Sequence, residues 1–131
     1  MTDLDTVRLG TDISAPIGAS IVVTPNGDTP TLSGRANLAE ALRRRMATEP
    51  GALVHRPAYG CGLLSRLGVA NSPGGRADLA TRIRRNLLLD PRLKDCAVTV
   101  SLGDGASIVV VSVTATLRDD SQSALTFQVP R

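Results

Sequence analysis

Apolar residues recur at every fourth position at Leu38, Leu42 and Met46 and again at Leu79, Ile83 and Leu87, then at every second position from Val98 onward. The four-residue spacing lines one face of an α-helix and the two-residue spacing one face of a β-strand, so two helices precede a run of strands. Strands joined by short turns pair antiparallel, and helices gathered ahead of such a run make an α+β fold. The expected architecture is two main helices packed on an antiparallel sheet, with a C-terminal three-strand meander.

The first helix is expected from Gly34 to Ala47, with Ser33 as N-cap, Ala39 beside the apolar stripe, and Pro50-Gly51 as the stop. Arg43, Arg44 and Arg45 are consecutive, so they spread around its exposed side. Pro57, Tyr59, Gly60, Gly62 and Gly68 then mark a connector of turns, with Leu63, Leu64 and Leu67 forming a short helical turn within it. Asn71 to Gly75 reads as a loop. The second helix is expected from Arg76 to Leu89, its stripe widened by Ala80 and Leu88 and its polar side carrying Arg76, Arg82, Arg84 and Arg85. It ends at Asp90, because Pro91 disfavours helical geometry in the residue before it.

In the last third, Val98, Val100 and Leu102 alternate with Thr99 and Ser101, Gly103-Asp104-Gly105 makes a turn, and a long strand runs from Ser107 to Arg118. Val109, Val111, Val113, Ala115 and Leu117 share one face of it. Ile108 and Val110 open the other, so its first half is expected to be buried on both sides. After the polar turn Asp119 to Ser123, Leu125, Phe127 and Val129 form a terminal strand at the edge of the sheet. Ahead of the first helix, prolines at 16, 25 and 30 break residues 1–32 into an extended β-rich arm, whose best strand candidate is Ile21 to Thr24.

The 131 residues suit one domain, 1–131, with that arm as part of it. One Tyr, one Phe and no Trp leave the core to Leu, Val, Ile and Ala. The formal charge of +3 hides a division: residues 35–94 carry +8 and the flanks −5. A basic middle suits docking onto acidic protein surfaces or self-complementary packing, and fourteen of the fifteen bases are Arg, the side chain suited to bidentate carboxylate pairing. No apolar run approaches the roughly 20 residues of a membrane span, and the first residues lack the basic-then-apolar order of a signal peptide. A soluble chain, not exported by the general route, is expected.

Candidate chemistry is sparse. His55 and Cys61 could form a nucleophile pair, but no third orienting group or oxyanion device accompanies them. Glu40, Glu49, Asp78 and Asp90 could supply paired carboxylates for glycosidic cleavage, although Glu49 and Asp90 stand where helix-end residues belong. One His and two distant cysteines, Cys61 and Cys96, make no metal-ligand set, and reduced thiols are expected. The glycines match no phosphate-binding motif. With almost no aromatics to stack bases, nucleic acid is a poor fit. No catalytic residue, metal, cofactor, small-molecule substrate or membrane partner is expected.

The segment from Ser33 to Leu63, S-G-R-A-N-L-A-E-A-L-R-R-R-M-A-T-E-P-G-A-L-V-H-R-P-A-Y-G-C-G-L, followed by D-P-R-L, resembles the gene-25-like (protein W) family of contractile-tail baseplate wedge proteins, which includes the TssE component of type VI secretion. The resemblance implies a structural sheath initiator arranged around the tail axis, bridging baseplate wedge proteins to the first ring of tail sheath subunits, with hub or tube proteins as further neighbours and six copies by the family's symmetry. It implies a place in the virion's tail baseplate after assembly in the host cytoplasm. It assigns the wedge contact to Asp90, Pro91 and Arg92, with Asp90 where the family usually has Glu. Pro50, Gly51, Pro57, Tyr59 and Gly60 stand as structural turn residues. The edge strand of Leu125, Phe127 and Val129 has two readings: a sheath contact by β-augmentation, or a strand that only completes the domain's own sheet. The enzyme alternative is the family's old lysozyme label; the same part in a phage-derived injection particle or a type VI machine is the other, and the extended arm favours a phage tail.

Overall fold

The structure, a computed structural model, describes residues 9–14, 20 and 22–130. By its contacts the chain divides into two compact units, Met1–Arg44 and Arg45–Arg131.

In the first unit, β1 (Thr11–Ile13) pairs antiparallel with β2 (Thr31–Ser33), Asp12 opposite Leu32. Helix α1 (Gly34–Ala47) follows directly, at the expected bounds. Ser33 ends β2, and its hydroxyl meets Thr11 Oγ1 at 2.9 Å rather than serving the helix as a cap. Asn37 Nδ2 donates to Leu9 O at 3.1 Å, and Leu38 and Leu42 are buried as the stripe requires. The strand expected from Ile21 to Thr24 does not form over its described part, and Ile21 and Pro16 lie outside the described residues. Thr24 instead opens a tight turn, with Gly27 N donating to Thr24 O at 2.8 Å and Thr24 N to Asp28 O at 2.7 Å. That turn consumes the local backbone groups and leaves Val22 and Val23 exposed.

In the second unit, a 3₁₀ segment (Leu64–Asn71) realises the short helical turn, and α2 follows from Pro73 to Leu87. The expected loop at Asn71 to Gly75 is thus mostly helix. Ser72 is its N-cap, accepting from Gly75 N at 3.0 Å, and Pro73 occupies the first turn, where its missing N–H costs nothing. The helix stops two residues early, and Leu88 and Leu89 leave it in a turn. Leu79, Ile83 and Leu87 are buried.

β3 (Leu93–Gly103), β4 (Ile108–Leu117) and β5 (Gln122–Pro130) form the expected antiparallel meander, in the order β3-β4-β5. β3 starts five residues earlier than Val98, through a register shift between Leu93 and Asp95 that keeps Leu93 and Cys96 buried. Val109, Val111, Val113, Ala115 and Leu117 line the inner face, and α2 lies against β3. The outer face of β4 is less covered than expected: Ile108 and Val110 are half-buried, not buried. The observed class is α+β, with two helices and two antiparallel sheets among the described residues. No described helix is long and apolar enough to cross a membrane.

Candidate functional site

The Pro/Tyr/Gly connector is a built joint. After α1 the chain turns at Glu49 to Ala52, and Gly51 N donates to Pro57 O at 2.8 Å, closing a loop whose tip exposes Leu53 and Val54. The chain then returns along the end of the helix. Cys61 N, Gly62 N and Leu63 N donate to Arg45 O, Thr48 O and Met46 O at 3.0 to 3.1 Å, satisfying carbonyls that a helix end leaves without partners. Gly60 makes the approach possible: its φ is +108°, and a Cβ there would stand 2.2 Å from Thr48 O.

Asn86, on α2, locks the same turn. Its Nδ2 donates to Gly60 O at 2.8 Å, and its Oδ1 accepts from Gly60 N at 3.3 Å. Arg45 Nη1 reaches Asn86 O at 3.4 Å, and the guanidinium stacks 4.3 Å from the centroid of the Tyr59 ring. The Arg run therefore does not stay on the exposed side: Arg45 is buried, because the ring and the Asn86 carbonyl replace water around it. Neither Asn86 nor Arg45 stands out by apolar spacing. The available signal for Asn86 was an amide inside a helix, where Asn is a poor former and needs another reason to be present.

The Asp90-Pro91-Arg92 turn joins α2 to β3. Arg92 Nε and Nη2 donate to Asp90 Oδ1 and Oδ2 at 2.9 and 2.6 Å, a bidentate pair, and Arg92 N donates to Oδ1 at 3.0 Å. Asp90 is 4% exposed. Burial alone would raise its pKa, but the side-chain and backbone hydrogen bonds from Arg92 and the charges of Arg92 and Arg45 outweigh burial and hold it below the ordinary carboxylate value. Arg118 Nε donates to Pro91 O at 3.0 Å, tying the turn to the end of β4. The three residues expected at the wedge contact thus form one rigid, internally paired turn.

On β5, Leu125 and Val129 are buried opposite Val113 and Val109, and Phe127 is half-buried opposite Val111. These side chains face their own sheet. What β5 offers outward is its backbone, since among the described residues it pairs only with β4.

The candidate chemical groups lie in different environments. Cys61 is fully buried, and burial pushes its thiol up to about 12 against the lowering charges of Arg45 and Arg82. A thiol held neutral is no nucleophile. His55 is exposed on the connector loop. Glu40 and Asp90 are buried, whereas Glu49 and Asp78 are exposed, with Glu49 Oε2 accepting from Ser65 Oγ at 3.0 Å. Both cysteines are free and buried, and burial also raises the Cys96 thiol. A thiol reagent at pH 8 is expected to leave Cys61 and Cys96 unmodified in the folded protein and to label both in denaturant. Modification of native Cys61 at the rate of a free thiol would contradict the assigned burial. Among the described residues no cluster of three His, Cys, Asp or Glu could hold a metal ion.

Comparison with known proteins places this geometry in context. The family "Baseplate wedge protein gp25" matches residues 32–122. Three solved structures share the fold at 20% identity. A Geobacter sulfurreducens protein labelled provisionally as a tail lysozyme superposes with a TM-score of 0.64 over 85% of this chain and 96% of its own. A chain of the anti-feeding prophage baseplate, solved with 6-fold symmetry, gives 0.61 over 98% and 90%. A chain of the type VI secretion baseplate complex gives 0.56 over 72% and 91%. None of the curated proteins matches.

Proposed function

The chain belongs to the gp25 family of baseplate wedge proteins, and from that membership we propose that it is a non-enzymatic part of a contractile phage-tail baseplate, linking wedge proteins to the first ring of sheath. The observation that carries the sheath half of this reading is the outer edge of β5, which pairs with no other described strand and turns alternate backbone donors and acceptors outward. An extended sheath segment adding to that edge would be the first exchanged strand of the growing sheath. On the wedge side, the Asp90-Pro91-Arg92 turn supplies a rigid platform, since its charges are already mutually satisfied. The 6-fold symmetry of the anti-feeding prophage baseplate supports six copies around the tail axis.

The lysozyme label on the Geobacter relative raises peptidoglycan cleavage as the alternative. That chemistry asks for a carboxyl that keeps its proton near neutral pH. Asp90 is tuned the opposite way.

A proline pair tests the strand edge. In an antiparallel pair, successive residues point their N–H groups alternately toward and away from the partner strand. Of Ser123→Pro and Ala124→Pro, both at small side chains, one breaks a bond to β4 and the other removes only an outward N–H. The folded member of the pair is expected to enter baseplates that fail to grow sheath in electron micrographs. Normal sheath growth from that variant would overturn the role of β5.

A further inference from the structure

We propose that the groove along α2 between Asp78 and Leu89 seats an acidic amphipathic segment of a neighbouring baseplate protein, with Arg85 and Arg82 receiving its carboxylates and Leu89 its apolar side chain. The proposal rests on the baseplate reading above and moves the docking cations away from Arg92, whose guanidinium is bound to Asp90.

The groove is open to solvent, with about 600 Å³ of space between one stripe of α2 and the connector. Asp78, Thr81, Arg82 and Arg85 follow one another at helical spacing, so they share a face of α2, and Leu89 lines the same groove from the turn after the helix. Pro50, Ala58 and Gly60 form the opposite wall. Both walls are fixed in place, because Asn86 on the helix holds Ala58 O and Gly60 by hydrogen bonds of 2.8 to 3.5 Å. A groove whose walls are bonded together needs no rearrangement to receive a partner.

Its chemistry selects the partner. Leu89 is 63% exposed at the end of the stripe, beside apolar surface from Pro50 and Ala58. Arg85 is exposed and makes no hydrogen bond or ion pair with any described residue. Among the described residues Arg82 bonds only through its Nε, to Cys61 O at 3.3 Å, and its terminal nitrogens meet no acceptor. Two cations against the single acid Asp78, next to an exposed leucine, complement carboxylates arranged around an apolar side chain. Leu89 is also the residue before Asp90, so this surface is continuous with the turn assigned to the wedge contact.

A photo-cross-linking residue placed at Leu89 in the full-length chain, activated in purified baseplates, reads the occupant directly. The expected product joins Leu89 to a Glu/Asp-rich segment of another baseplate protein. Arg85→Glu, which removes no bond to a described residue, is expected to lower incorporation into baseplates about tenfold or more, with Arg85→Lys recovering much of it. Joining to a basic or uncharged segment, to sheath, or to nothing while the chain is present would overturn the proposal, as would parental incorporation of Arg85→Glu. A parent chain absent from purified baseplates would instead overturn the functional reading, and this one with it.

Discussion

Gly60→Ala is expected to destabilise the fold by roughly 3–5 kcal/mol, the sum of a backbone conformation closed to alanine and a steric overlap with no flexible partner. The added Cβ would stand 2.2 Å from Thr48 O and 2.8 Å from Thr48 C, and both atoms are main chain at the end of α1. The turn cannot back away cheaply. Gly60 N and O are both bonded to Asn86, and the next two amides are bonded to Arg45 O and Thr48 O. Relief of the overlap therefore breaks the bonds that close the helix end and those that hold α2 to the connector. Gly51→Ala separates the two contributions. Gly51 has φ +87° but nothing within 4 Å of a new Cβ, so it should cost only about 1 kcal/mol of backbone strain. Urea unfolding of both variants makes the comparison, and a Gly60→Ala protein no weaker than Gly51→Ala would remove Gly60 as the keystone of the joint.

The second large effect is expected at Arg92. Replacing it by alanine leaves a buried carboxylate without its bidentate partner, a change worth roughly 2–4 kcal/mol at pH 7. The pH dependence identifies the cause. In the parent, the Asp90 pKa is lowered from 3.8, so its contribution to stability is present above that ordinary value and is lost as pH falls through the folded value. In Arg92→Ala, burial raises the pKa with less opposition, and protonation relieves the variant. The stability difference between the two proteins should therefore narrow as pH falls from 7 toward 3. A gap that stays constant across that range would show that the arginine acts through packing and not through Asp90.

The helices and the meander were legible because each buries one face, and burial imposes a spacing that sequence displays directly: Leu38, Leu42 and Met46 on α1, and Val109 to Leu117 on β4. Errors fell where main-chain bonding, not burial, decides. Two glycines make the start of α2 look like a loop, although Ser72 and Pro73 carry the helix-start chemistry. Val22 to Thr24 has strand composition, but the Thr24–Asp28 bonds bend it into a turn. The turn residues Pro50, Gly51, Pro57, Tyr59 and Gly60 were visible as punctuation, whereas their partners Asn86 and Arg45 were not, since hydrogen bonds across dozens of residues leave no period. At Asp90 and Arg92 the residues were readable, while their pairing with each other required the folded turn.

The joint between the end of α1 and residues 61–63 is made of amides and carbonyls, which every amino acid except proline supplies in full. Its main-chain geometry therefore asks little of the side chains that occupy Met46, Thr48, Cys61 and Leu63, beyond room and polarity. Substitutions can accumulate there without moving the two walls apart, so long as the tight glycine and the Asn86 amide that bonds it are kept. A part that must present the same outline while its sequence drifts is well served by such a connection, and solved structures share the fold at only 20% identity.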